Sequence, residues 1–255
     1  MIIFNKEKKV FEIFLSGFNV SSVFQELRDE NGNIYGYEAL CRIDKDGQHI
    51  PTLDFFKYLK EIGEPKSIGV KLLILSMHLK GFRYSEIYST NTKLFVNITP
   101  TFCKSLYQHQ GLLEYLLYSI YLDDLKSEQL VLEITETSCP IDSVESFYRG
   151  VNYLKSIGLL IAIDDFGTGC SDFSRVAAVK PNYIKVSREL MLYSQVFKTI
   201  DIQKLNALSR LDDIILVYEG IESLSQYEFA KTHGAALYQG YLLSKPKQYS
   251  VDLYV

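Results

Sequence analysis

Two hydrophobic rhythms alternate along this chain. Short, nearly continuous apolar runs occur at GYEALCRI (36–43), KLFVNI (93–98), QLVLEIT (129–135), LLIAIDD (159–165), NYIKV (182–186), DIILVYEG (213–220) and ALYQGYLL (236–243). Between them apolar residues recur every three or four positions, as in 67–82, 102–122 and 142–158. The first rhythm predicts strands buried on both faces and the second predicts helices covering them, the pattern of a parallel sheet. One place breaks the alternation. Asn31-Gly32 separates the β-type runs 23–27 and 34–40 and predicts a hairpin of antiparallel strands. Its first strand and the seven runs make eight, the number that closes an α/β fold of (β/α)8 TIM-like barrel type with one antiparallel strand. The competing architecture, an open doubly wound sheet, lacks its GxGxxG after the first strand and a visible switch point. No Pro/Gly/Ser-rich linker divides the chain, so 1–255 reads as one domain with 1–20 as a short amphipathic lead-in.

The strands end in chemistry. Glu38, Asn97, Glu133, Asp164 with Asp165, Lys185, Glu219 and Gln239 each close an apolar run. In a barrel, strand C-termini converge on the face that carries active sites. A single acid after a strand is most often a helix cap or a solvated loop residue. Seven strands that all end in oxygen- or nitrogen-bearing side chains define a shared polar site instead. Five carboxylates packed together raise one another's pKa unless a cation compensates. Amide oxygens among the donors, with no Cys or His nearby, make the site hard, which selects Mg2+ or Mn2+ over Zn2+. The doubled aspartate suits a ligand bridging two ions about 3.5–4 Å apart, and the GTG behind it lets the chain turn sharply. A Schiff base on Lys185 is the rival chemistry, but it needs a depressed pKa, and carboxylate neighbours hold an amine protonated. The histidines, His49, His78, His109 and His233, share no strand end with the acids; His233, before a glycine near a helix end, reads as a carbonyl cap.

Composition narrows the partners. Lys and Arg number 27 against 31 Asp and Glu, a net charge of −4. No basic stripe is present, which counts against polymeric nucleic acid as a partner, while a small anion needs only a few local cations. No apolar run approaches the roughly 18 residues of a membrane span, and the start MIIFNKEKKVFEIF has no signal-peptide core. Cys41, Cys103, Cys139 and Cys170 form no CxxC pair, which fits a reducing compartment. The expectation is a cytoplasmic protein without membrane contact.

The motifs together resemble a known family. YEALCR (37–42) is similar to the signature that names the EAL-domain family of cyclic di-GMP phosphodiesterases. VFQEL (23–27), NITP (97–100), LEITET (132–137), IDDFGTGCSDFS (163–174), YIKVSREL (183–190), VYEGIE (217–222) and YQGYLLSKP (238–246) resemble its other motifs in order and spacing, over roughly residues 20–247. The resemblance implies a barrel that hydrolyses cyclic di-GMP to linear pGpG with two Mg2+ or Mn2+ ions. It implies Glu38, Asn97, Glu133 and Asp164 as ligands of one ion, and Asp164, Asp165 and Glu219 as ligands of the second, directly or through water. By the same resemblance Lys185 and Gln239 position the attacking water, Gln25, Arg42 and Asp165 meet the substrate, and Glu136 anchors the loop after Asp165. The chain departs from the family pattern in places. Ser187 stands where the family often has an acid near the second ion, the early glutamine segment lacks its usual proline, and Tyr218 and Cys170 replace a usual Ala and Tyr. The family also contains members without turnover that serve as cyclic di-GMP receptors or protein-interaction modules; those lose several ligand residues, and here the principal ones remain. A second-messenger role follows from the resemblance, with homodimerisation or a separate partner as the regulatory input.

Overall fold

The alternating rhythms become eleven strands and nine helices in a computed structural model that describes residues 1–64, 66–197 and 200–253. The strands are β1 (Ile2–Asn5), β2 (Val10–Leu15), β3 (Phe18–Asp29), β4 (Ile34–Lys45), β5 (Gln48–His49), β6 (Lys93–Ile98), β7 (Leu130–Ile134), β8 (Leu160–Phe166), β9 (Tyr183–Val186), β10 (Ile215–Tyr218) and β11 (Leu237–Tyr238). The helices are α1 (Thr52–Glu61), α2 (Lys66–Arg83), α3 (Pro100–Gln108), α4 (Gln110–Leu122), α5 (Val144–Ser156), α6 (Phe173–Val179), α7 (Arg188–Phe197), α8 (Ile200–Leu211) and α9 (Leu224–Thr232). Eight strands, in the order β3-β11-β10-β9-β8-β7-β6-β4, close into a barrel through the β3–β4 pairing. Strand β3 runs antiparallel to both neighbours, and the other neighbouring pairs are parallel. The reversal is made at the expected turn. Gly32 has φ +80°, and the Asp29 carboxylate accepts from the backbone N–H of Asn31 and Asn33 at 2.9 and 2.8 Å.

Side chains alternate across a strand, so each barrel strand feeds two layers. Leu27, Phe95, Val131, Ala162, Tyr183, Val217 and Leu237 form an apolar cluster inside the barrel. Two residues further toward the mouth, on the same face, stand Gln25, Asn97, Glu133, Asp164, Lys185, Glu219 and Gln239. The polar site thus rests on a dry floor. The opposite faces carry Val96, Leu132, Ile163, Ile184 and Leu216, which pack outward in the main core with the helices. Burying each such side chain contributes about 1.5–3 kcal/mol, and this shell fixes the strands that aim the site.

Two expectations need correction. Residues 1–20 are more than a lead-in: β1 and β2 form a hairpin, and β2 pairs antiparallel with the start of β3, extending the sheet beyond the barrel. Ile13, Phe18, Val20 and Ile43 pack there against Phe55 and Leu59 of α1 and Val70, Ile74 and Met77 of α2 as a second core. Glu12 hides this strand in the sequence. It is buried, and Asn5 Nδ2, Lys8 Nζ and Asn19 Nδ2 donate to it at 2.9, 3.0 and 3.1 Å, so its charge is compensated rather than solvated. The second correction concerns 102–122, read as one helical stretch. It breaks at His109, whose backbone is extended (φ −125°, ψ 93°). The break lets two helices serve two neighbours. Helix α3 packs on α5, where a Cβ at Gly150 would lie 2.4 Å from Cys103 O, and α4 packs on α2 through Ser76 Oγ and Ser119 Oγ, 3.1 Å apart.

The reading of His233 as a carbonyl cap holds. His233 Nδ1 lies 2.8 Å from Phe229 O, a C-terminal carbonyl of α9, and the four cysteines are free. Among the described residues no helix is long and apolar enough to cross a membrane.

Candidate active site

One ammonium stands among four carboxylates delivered by four strands, Glu38 from within β4 and the others from at or near strand ends. Lys185 Nζ, on β9, lies 2.8 Å from Glu133 Oε1, 3.2 Å from Asp164 Oδ1, 3.3 Å from Glu38 Oε2 and 2.5 Å from Glu219 Oε1. Lys185 is 1 % exposed and Glu133 is fully buried. Two amides fix the remaining acceptor positions of Glu38: Asn97 Nδ2 donates to Oε1 at 2.8 Å and Gln239 Nε2 to Oε2 at 2.7 Å. Two buried oxygens on this cluster, Glu133 Oε2 and Gln239 Oε1, take no hydrogen bond among the described residues. Buried acceptors without donors are costly and uncommon.

The paired aspartates sit in a β-bulge. Ile163 pairs with Ile184 and Phe166 with Val186, which leaves Asp164 and Asp165 together opposite the single Lys185. A bulge re-aims side chains that a regular strand would send to opposite faces. Asp165 takes the left-handed backbone region (φ +49°), one that aspartate tolerates better than most residues. The chain then folds back: Thr168 N donates to Asp165 O, Gly167 N to Ser171 O, and Cys170 N to Glu136 O at 2.9 Å. Gly169 (φ +49°) is required here, because a Cβ would lie 2.8 Å from that Glu136 carbonyl. The anchoring at Glu136 therefore runs through its main chain.

Ser187, at the end of the same β9 segment, is buried and turned away from acid chemistry. Its Oγ accepts from Leu190 N at 3.1 Å, capping the first turn of α7. Ser187→Ala is expected to cost about 1 kcal/mol of stability through loss of this cap, read as a lower urea midpoint with an unchanged slope.

Electrostatics follow from burial and from the imbalance of charge. Burial, then the Glu38 charge, pushes Glu133 well above the ordinary carboxylate range, and burial does the same to Glu219. Asp164 is raised chiefly by burial, and Asp165 is raised to about 6 by burial and the adjacent Asp164. For Glu38 the burial penalty is outweighed by the Lys185 ammonium and by the amides of Gln239 and Asn97, so it is held low. Burial would lower Lys185, but Asp164, Glu133, Glu219 and Glu38 hold it well above an ordinary lysine. A neutral amine for imine chemistry is thus disfavoured.

A cavity of about 400 Å³ opens over the cluster. Gln25, Glu38, Asp164, Asp165, Lys185, Glu219 and Gln239 from the sequence-derived set all line it. Gln25 is held by its Nε2 donating to Ser244 O at 3.0 Å. Glu133 and Asn97 do not line the cavity: Glu133 is fully buried against Lys185, and Asn97 is exposed and donates to Glu38. Arg42 is four residues beyond Glu38 on β4 and therefore on the same face, exposed, with no ion pair to the cluster among the described residues. Three charged lining residues went unread in the sequence: Arg188, Glu189 and Glu222. Each follows a strand-end residue by three or four positions, so extending the strand-end search by one helical turn would have found them.

Fold and site together define a barrel whose mouth gathers carboxylates, amides and one buried lysine. The EAL domain family model matches residues 15–246, and the chain belongs to the EAL domain family. Among its relatives is PdeI of Escherichia coli (strain K12), named as a probable cyclic di-GMP phosphodiesterase, 29% identical over 234 residues that cover 89% of this chain. The chain spans only 29% of the length of PdeI. Among solved structures, Klebsiella pneumoniae BlrP1 in a manganese/cyclic di-GMP complex superposes with a TM-score of 0.76 at 24% identity, covering 92% of this chain and 58% of that one. Bacillus subtilis YkuI, in complex with cyclic di-GMP and calcium, does so with a TM-score of 0.74 at 25% identity, covering 89% and 55%.

Proposed function

We propose that the chain is a metal-dependent phosphodiesterase that hydrolyses cyclic di-GMP to linear pGpG. One observation carries this: four carboxylates from four strands, Glu38, Glu133 and Asp164 buried and Glu219 partly so, face a single ammonium, leaving a surplus of negative charge at the site. Oxygen donors in that number, with Glu133 Oε2 among them buried without a hydrogen-bond donor, fit hard divalent cations such as Mg2+ or Mn2+. On this reading Glu38, Asn97, Glu133 and Asp164 would hold one ion, and Asp164, Asp165 and Glu219 would hold the second, directly or through water. When bound, the ions supply an acidified water and neutralise charge on the phosphoryl oxygens.

The chain's own side chains do the rest. Lys185, kept protonated by its ring of carboxylates, and Gln239, fixed on Glu38, orient the attacking water in line with the scissile bond. Gln25, Arg42 and Asp165 meet the substrate, and the Glu136 carbonyl steadies the loop that carries Asp165. Incubating the pure protein with cyclic di-GMP and either metal, then resolving products, is expected to give pGpG that chelator abolishes. Folded protein that gives none with either metal overturns the proposal. A second reading, a receptor that binds without turnover, is favoured by Ser187, whose hydroxyl serves a helix cap instead of a carboxylate serving the site. Cyclic di-GMP binding that is indifferent to chelator and unaccompanied by hydrolysis would select it.

Divalent affinity is expected to weaken as pH falls through about 6. Asp165, raised to about 6, then takes up a proton that the ion has to displace, and the still higher Glu133 and Glu219 act in the same sense. Mn2+ calorimetry between about pH 5 and 8 reads this effect; an affinity flat across that range would speak against these carboxylates as ligands.

A further inference from the structure

The cavity over the acidic cluster is lined by six carboxylates and two cations, Lys185 and Arg188. A cyclic dinucleotide brings two phosphates to this negative mouth. Lys185 is 1 % exposed and ringed by its carboxylates, so it offers little to the phosphate remote from the cleaved bond. Arg188 differs. It opens α7, its side chain is 44% exposed, and its Nη2 donates to Glu222 Oε2 at 2.6 Å on the cavity wall. The backbone makes room for it. Gly220, next to Glu219, has φ +62°, and a Cβ there would lie 2.7 Å from Arg188 Cβ and 2.8 Å from its Cδ. The arginine stem thus lies against bare backbone beside the site. Glu222 is anchored through its main chain, its N–H donating to Gln226 Oε1 at 2.6 Å, while its carboxylate is 48% exposed. Exposed ion pairs are weak and readily exchanged, whereas a planar guanidinium grips phosphate through two parallel hydrogen bonds.

We infer that Arg188 is a substrate-binding residue that exchanges Glu222 for the phosphate of the cyclic dinucleotide remote from the cleaved bond, with Glu222 as its latch in the empty site. The identity of that ligand rests on the proposed function above. A latch of this kind makes two substitutions act in opposite directions. Arg188→Ala is expected to weaken cyclic di-GMP binding and raise KM about tenfold, the loss typical of a charge-assisted hydrogen bond, with kcat falling far less. Arg188→Lys restores only part, because lysine lacks the fork. Glu222→Gln is expected to bind cyclic di-GMP more tightly than wild type, by about two- to threefold, as expected from removing an exposed competitor.

Calorimetry of cyclic di-GMP with Ca2+, the ion accompanying it in the YkuI complex, reads binding; initial rates with Mn2+ read the split between KM and kcat. Mn2+ affinity without nucleotide should not weaken in any of the three variants. Wild-type affinity in Arg188→Ala, or no tightening in Glu222→Gln, overturns the latch, and so does a loss of Mn2+ binding in Arg188→Ala, which assigns the pair to the integrity of the metal cluster. Failure of the wild-type protein to bind cyclic di-GMP overturns the proposed function instead, so the two failures are distinguishable.

Discussion

Replacing Lys185 with Met is expected to destabilise the metal-free protein by about 3–5 kcal/mol, the cost of removing one partner from a buried ion-pair network. The ammonium is the positive charge within 3.3 Å of Glu38, Glu133, Asp164 and Glu219, so the variant leaves four carboxylates facing one another without it. Their response fixes the pH dependence. Glu133, Glu219 and Asp164 are already raised above their ordinary values, chiefly by burial, and losing Lys185 raises them further. The folded state then holds protons that the unfolded state releases. Stability from this source is full below the ordinary carboxylate pKa and is lost as pH rises through the raised folded values. Urea unfolding in chelator at about pH 5 and 8 should therefore show the deficit growing with pH. Mn2+ should return part of it by binding only the folded state. A variant as stable as wild type in chelator at the higher pH would sink the reading of Lys185 as the counter-ion of the cluster.

If the chain is the proposed phosphodiesterase, Glu38→Ala is expected to reduce turnover by more than about 100-fold, since on that proposal it removes a metal ligand, which exceeds the 10- to 100-fold that outer hydrogen-bond partners typically cost. Glu38 touches Lys185 and accepts from both Asn97 and Gln239, so its loss frees two amides and a lysine at once. The fold should survive, because one of several mutually repelling carboxylates has gone. Initial rates of pGpG formation with saturating Mn2+, alongside thermal unfolding, check both halves. A folded variant retaining near wild-type rates would remove Glu38 from the machinery.

Much of the barrel was legible because its signals are local. Seven apolar runs bounded by turn residues mark β4 and β6 to β11, and Asn31-Gly32 marks the reversal that makes β3 antiparallel. Strand β11 shrinks to Leu237–Tyr238, since Gly240 must pass the Ile221 backbone where a Cβ would lie 2.2 Å from its nitrogen. The β1–β2 hairpin escaped notice because its buried acid, Glu12, is paid by donors at other positions, Asn5, Lys8 and Asn19. The break at His109 escaped because it serves two different packing partners, α5 and α2, that no local spacing reveals.

By itself the sequence determined which side chains reach the mouth: a strand's period of two puts Glu133, Asp164, Lys185 and Glu219 two residues above an apolar floor. Tertiary structure alone decided how they meet. The bulge that sets Asp164 and Asp165 together opposite one lysine, and the glycine that lets Arg188 lie across to Glu222, depend on register and on approach between distant segments. Such contacts are set by packing in three dimensions, and neighbouring letters in the chain do not encode them.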